Sequence, residues 1–172
     1  MVVRFGVGDT VLYGTQGVCR IERTEKQRVR GNDIEYYVLC PVYNENSTVF
    51  VPMQNDALVS KMRSILSAED IYEMIRSMPE EDTIWIDDEN QRKLSYQQLI
   101  NEGDRKKLVQ LIKTLYLHKL SQEKKGRKLH QSDETMLKQA EKLLYDEFAL
   151  VLNIQPEEVL PFIMEQVEIT KK

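Results

Sequence analysis

The sequence predicts an α+β fold in two modules, a small Tudor/SH3-like β-barrel followed by a compact five-helix module. Three observations lead there. Up to about Met62, β-branched and aromatic residues come in short runs separated by glycine and asparagine turns. After Arg63 the apolar spacing becomes helical and stays so. Helix caps then recur, first at Ser67 and again at Asp104. The change of period divides the 172 residues into modules at 1–64 and 65–172, joined around residues 62–67.

In the first module, strands are expected near 9–13, 17–25, 34–40 and 47–52, with a fifth near 57–62. Gly14 and Gly17 punctuate the first pair. Gly31-Asn32-Asp33 reads as a hairpin turn because Gly and Asn tolerate positive φ, and Asn44-Glu45-Asn46-Ser47 reads as another. Pro41 and Pro52 cannot donate to a ladder, so each marks a strand end or an edge.

In the second module, Ser67-Ala-Glu-Asp70 caps a helix with Ile71, Met74, Ile75 and Met78 on one face, stopped by Pro79. The acidic loop Pro79–Thr83 and Trp85 follow. A helix carrying Leu94, Leu99 and Ile100 ends near Gly103. Asp104 opens the next helix, with a stripe of Leu108, Leu111, Ile112 and Leu115. Ser132-Asp-Glu opens a longer one with Met136, Leu137, Ala140, Leu143, Leu144 and Phe148. Pro156 starts the last helix, within which Pro161 would kink.

Composition narrows the function classes. With 41% hydrophobic and 30% charged residues the chain suits a soluble globular protein with a sizeable core. No run approaches the roughly 18 apolar residues of a membrane span, and the N-terminus has no signal-peptide pattern. Cys19 and Cys40 read as reduced, buried thiols in strands, which suits a bacterial cytoplasm. With no CxxC, and with only His118 and His130 as histidines, metal-ligand spacing is absent and no cofactor is expected. No nucleophile elbow, phosphate loop or HExxH occurs, so the chain does not read as an enzyme and no small-molecule substrate is expected. Asp87-Asp88-Glu89 are consecutive residues that diverge on a helix, so they read as an acidic helix start rather than a site.

The net charge of −4 argues against indiscriminate nucleic-acid binding, but its distribution is uneven. Residues 64–102 carry −7, residues 103–131 carry +7 and residues 132–172 carry −5. The basic run Lys119, Lys124, Lys125, Arg127, Lys128 and His130 surrounds Gly126 in a helix–helix connection. It reads either as a solvated loop or as a cluster of phosphate contacts, to the backbone rather than to bases. Trp85, the single Trp, lies between Ile84 and Ile86 and among Asp82, Asp87 and Asp88. It reads either as a core anchor or as a recognition residue.

The order GDTVLYGTQGVCRIE, RVRGNDIEYYVL and STVFVPM, beginning at Gly8, resembles the opening of the CarD/CdnL family of bacterial transcription regulators. The helical half continues the resemblance with Trp85, an Arg, Gly103-Asp104, a long apolar helix and an Ala-Glu-x-x-Leu helix ending in a Glu, so nearly the whole chain is covered. The resemblance implies that the barrel is an RNA-polymerase-interacting domain of the kind shared with transcription-repair coupling factors. It would dock on the polymerase β subunit by sheet extension. The matching polymerase-binding positions are Lys26, Gln27, Arg28, Val29 and Arg30, with Phe50 on what is expected to be the neighbouring strand. Where the family often has arginine, this chain has Gln27 and Phe50. The helical module would contact promoter DNA at the backbone and minor groove, with Trp85 as an apolar wedge. Arg92, Lys93, Lys124, Lys125, Arg127 and Lys128 would supply the cations. The implied location is the bacterial cytoplasm, at the nucleoid through polymerase. The family usually follows its Trp with basic residues, whereas here IDDEN intervenes before Arg92-Lys93. That departure keeps a second function open, a polymerase- or protein-binding adaptor that has lost direct DNA contact. A Tudor-like peptide cage is a third, disfavoured because Tyr36 and Tyr37 alternate across their strand.

Overall fold

The computed structural model describes residues 5–171. The chain divides into two compact units, Met1–Ile65 and Leu66–Lys172. The first is built on one antiparallel sheet of five strands: β1 (Thr10–Tyr13), β2 (Val18–Val29), β3 (Asn32–Pro41), β4 (Val49–Pro52) and β5 (Met62–Ser64). They lie in the order β4-β3-β2-β1-β5. The expected barrel is not closed, because β4 pairs only with β3 and β5 only with β1. Both end strands are too short, at four and three residues, to wrap around and meet.

Residues near 57–62 were expected to form a strand. Instead the Asn55 side chain accepts from the Leu58 N–H and caps one helical turn, α1 (Asp56–Val59), and the strand begins only at Met62. The turn between β2 and β3 is also shifted by one residue. Arg30 (φ 51°) and Gly31 (φ 84°) form a two-residue turn flanked by the pair Val29 and Asn32, so Asn32 and Asp33 belong to the strand.

One inner face of the sheet holds the core: Val11, Cys19, Ile21, Tyr37, Leu39, Val51 and Met62. The alternation does not run unbroken along β2. A bulge between Ile21 and Arg23 inserts Glu22, so Ile21 faces Leu39 while Arg23 faces Val38. Past the bulge, Thr24 lies opposite buried Tyr37, and Glu25 lies opposite Tyr36 on the other face. Cys19 is buried in the core, and its thiol is pushed up to about 11 mainly by burial. Cys40 is half-buried rather than buried, on the opposite face, and both thiols are free.

The second unit holds α2 (Ala68–Ser77), α3 (Glu89–Glu102), α4 (Arg105–Lys124), α5 (Gln131–Leu152) and α6 (Pro156–Lys171), with a 3-10 turn at Met78–Glu80. Among the described residues, no helix is long and apolar enough to cross a membrane. Ser67 and Asp70 close a reciprocal capping box on α2, and Asp104 caps α4 through the Lys107 N–H. Gly103, at φ 68°, ends α3 in the left-handed region where a side chain would be strained. The α5 start differs from expectation: Gln131 is its first residue, and His130 at the cap makes no side-chain hydrogen bond to it. Leu94 is not on the packed face of α3. It is 76% exposed, and the buried positions are Arg92, Tyr96 and Ile100.

Two apolar clusters share α4 and α5. One joins Ile71 and Ile75 of α2 to Leu144, Phe148, Val159 and Ile163, and the other joins Tyr96 and Ile100 of α3 to Leu111, Leu115, Met136 and Leu137. A buried ion pair accompanies each cluster. Glu147, 1% exposed, accepts from Arg105 Nε and Nη2, both at 2.8 Å, and from the Leu66 N–H at 2.9 Å. It thereby fixes the first residue of the unit and the first turn of α4 to the C-terminal half of α5. Arg105→Met should leave that carboxylate buried without its cation and destabilise the helical unit by about 3–5 kcal/mol in urea unfolding. Pairing it with Glu147→Leu should recover much of the loss, since an apolar pair needs no charge compensation.

Candidate nucleic-acid interface and the β2–β3 hairpin

The segment between the 3-10 turn and α3 is extended and has no ladder, so its backbone groups must be satisfied by side chains. Thr114 accepts from the Ile84 N–H at 2.9 Å, and the Tyr96 hydroxyl donates to the Ile84 carbonyl at 2.8 Å. Burial pushes the Tyr96 phenol up to about 12, so it remains a donor. Arg92 Nη1 donates to the carbonyls of Ile86 and Asp87, at 3.0 and 3.2 Å. The rest of the guanidinium forms a two-pronged pair with Asp133, Nε to Oδ1 and Nη2 to Oδ2, each 2.9 Å. Asp133 is fully buried and Arg92 is 2% exposed.

Trp85 is held by two neighbouring side chains. It is half-buried, with the His118 ring stacked 3.9 Å from its centroid at 23° and the Arg92 guanidinium carbon 4.5 Å from it. The indole N–H donates to Asp87 Oδ1 at 2.9 Å, while the Asp88 carboxylate caps α3 through the Asn90 and Gln91 N–H groups. Two of the carboxylates that follow Trp85 in sequence are thus engaged locally. Burial lowers the His118 pKa; nearby Asp133 raises it, while Arg92, Lys125 and His130 lower it further. The ring that stacks on Trp85 is consequently the neutral imidazole.

The basic run adjoins this cluster. After α4, the Arg127 N–H bonds the Gln122 carbonyl at 2.8 Å and the Gly126 N–H bonds that of Glu123 at 3.0 Å. This pair of bonds, with Gly126 at φ 70°, is the Schellman arrangement. Leu129 then packs against the same apolar cluster as Trp85. Lys124, Lys125, Arg127 and Lys128 are exposed between these two anchors, so the run has a fixed backbone rather than a flexible one. Lys119 is committed to Glu134 at 3.7 Å. Lys93 is exposed and lies 3.4 Å from Glu89 one turn earlier. Arg92 departs from the role expected of it. It is buried, and its donors end on Asp133 and two carbonyls, so it braces Trp85 from within.

Within the first unit, Lys26, Gln27, Arg28 and Val29 run along β2 opposite Glu35, Ile34, Asp33 and Asn32, and Arg30 forms the turn. β1 reaches only Val18–Arg20 of β2, and β4 only Tyr36–Leu39 of β3. The end of the hairpin is therefore a two-stranded ribbon beyond the body of the sheet. Phe50 is on the edge strand β4, 43% exposed, and meets Tyr36 edge-to-face at 6.0 Å. It is not on the strand next to Lys26–Arg30, because β3 lies between them. His118, Thr114, Tyr96 and Asp133 were not legible as site residues in the sequence. The one signal that could have found any of them is the spacing of Arg92 and Tyr96, four residues apart and so on one face of α3.

Two family models match the chain. Residues 5–64 match the CarD-like/TRCF RID domain, and residues 70–164 match the CarD C-terminal domain.

Stability should separate the two residues at the centre of this cluster. Arg92→Met strands Asp133 and should lower urea stability by about 3–5 kcal/mol. Trp85→Ala, which removes a half-buried ring, should lower it by only about 1–2 kcal/mol. Equal losses would mean that Trp85 is a core anchor. The pH dependence follows from the depressed His118 pKa. The unfolded chain takes up the proton more readily than the folded one, so this contribution is complete above about pH 6.5 and is lost as pH falls below it. The midpoint of thermal unfolding should drop between pH 7 and 5, and His118→Gln should reduce that drop.

Proposed function

The chain belongs to the CarD family of transcription regulators that interact with RNA polymerase, and from that premise we propose a division of labour between its two units. The sheet unit binds the polymerase β subunit. The helical unit contacts promoter DNA without reading its sequence and favours the open complex. The observations that carry the second part are a braced, half-exposed Trp85 and four exposed cations on a connection whose Lys125 lies within electrostatic reach of the His118 ring that stacks on the indole. An apolar ring set in place beforehand can occupy a widened minor-groove step at little entropic cost, and the cations can sit on flanking phosphates.

On the sheet unit, a protruding ribbon with Lys26, Arg28 and Arg30, together with the free edge and exposed ring of Phe50, supports docking by edge pairing plus a few side chains. The mechanism is differential affinity. A factor that binds the melted promoter complex better than the closed one shifts that equilibrium by the difference, and it needs no affinity for free DNA of its own. This accords with a chain whose net charge is −4. The acidic start of α3 beside Trp85 favours the adaptor reading, in which the helical unit meets protein alone.

One set of measurements on the full chain tests both halves. Arg28→Glu with Arg30→Glu should weaken capture of the isolated β subunit by about 1–3 kcal/mol. Replacing Lys124, Lys125, Arg127 and Lys128 with Gln should leave β capture intact. That change should also reduce the salt slope of promoter-complex binding by about 0.9 for each phosphate no longer neutralised. An unchanged slope would favour the adaptor, and unimpaired β capture by the arginine variant would move the polymerase contact to another face.

A further inference from the structure

The helical unit contains an opening that the transcription reading does not use. It lies among the 3-10 turn, α4, α5 and α6 and encloses about 390 Å³. That is within the range of small-molecule sites, roughly 300–1,000 Å³. Its wall is apolar apart from Lys113, Tyr116 and Tyr145. Lys113 is already occupied, since its ammonium donates to the carbonyls of Met78 (3.2 Å), Pro79 (2.8 Å) and Glu81 (2.7 Å). Those three bonds tie the 3-10 turn to α4 and prevent that wall from collapsing inward.

The polar groups left over are two phenols. Tyr145 is only 8% exposed, and no hydrogen bond joins its hydroxyl to another described residue, so the hydroxyl is left to a ligand or to water. Tyr116 is close enough to Tyr145 to affect its ionisation, as is Glu141, one turn before it on α5. Burial pushes the Tyr145 phenol far up, so it is a permanent donor. Glu141 makes the neighbourhood unfavourable to an anion. At the rim, Leu117 and Met164 are 46% and 44% exposed, a pair of large apolar side chains on α4 and α6 that a bound molecule would cover. Met78 and Met164 add adaptable walls.

We propose that this opening is a binding site for a neutral, largely apolar small molecule carrying one hydrogen-bond acceptor, which the Tyr145 and Tyr116 hydroxyls receive. The site is independent of the DNA and polymerase surfaces, so it stands or falls apart from them. The neutral naphthyl ketone Prodan is a suitable probe, because its emission moves to the blue in an apolar site and reports hydrogen bonding at its carbonyl. Titrated into the full chain, it should bind saturably, one per chain, with a blue shift. Met164→Glu, which places a charge at the exposed rim without disturbing the core, should weaken binding at least tenfold. Leu94→Glu, at an exposed position on α3, should not. Tyr145→Phe should weaken binding roughly fivefold and remove the hydrogen-bonded component of the emission. Tyr116→Phe provides the same reading if that variant folds poorly. Non-saturable binding, or equal effects of Met164→Glu and Leu94→Glu, would overturn the proposal.

Discussion

A buried carboxylate can stay charged only if cations and donors surround it, and two such carboxylates, Asp133 and Glu147, lie on opposite halves of α5. Each is gripped by one arginine through two parallel bonds. Because the penalty for an unpaired buried charge is several kcal/mol, the geometry around each pair is strongly specified. Glu147 fixes where the helical unit begins. Asp133 holds Arg92, whose remaining nitrogen holds the carbonyls of Ile86 and Asp87. The position of Trp85 is thus determined two bonds away from the ring itself. A surface aromatic that would otherwise sample many rotamers is set by the electrostatics of the core.

The same dependence on distant partners explains which parts could be read from the chain and which could not. Local chemistry was legible wherever a side chain bonds its own neighbourhood. Ser67 with Asp70, Asp104, Gly103 and Pro79 all mark the ends they were expected to mark. The expectations failed where a distant partner decides. α3 has little amphipathic character because its buried stripe includes Arg92, a residue whose burial depends on an aspartate 41 positions away. Leu94 looked like core by type, but the stripe through Arg92, Tyr96 and Ile100 turns it outward. In the sheet, strand content was visible but closure was not, since whether β4 and β5 meet depends on lengths and curvature that no local pattern encodes. Asn55 was overlooked as a cap because the residues after it are apolar enough to pass for a strand.

At the candidate site the sequence separated what the fold joins. Trp85 and the basic run are about forty residues apart and carry neighbours of opposite charge. Only the stacking of His118 on the indole, and the packing of Leu129 against the apolar cluster that Trp85 also touches, link them. The acidic residues that argued against a DNA role are partly spent, one on the indole N–H and one on a helix cap. A lone histidine without metal-ligand companions gave no sign of this role, because stacking needs no sequence spacing.

The single extra residue at Glu22 has a consequence for how the gene for such a hairpin can vary. Beyond the bulge, every side chain up to Arg30 owes its face to that insertion, including the cations at the ribbon's end. Substitutions along the ribbon change one position each. A one-codon deletion between the bulge and the turn, with the bulge kept, would exchange the faces of every residue from there to the turn, turning the cations beyond it to the side now held by their neighbours. Length changes should therefore be tolerated as two residues on each strand, which lengthen or shorten the ribbon, keep its pairing and preserve its sidedness.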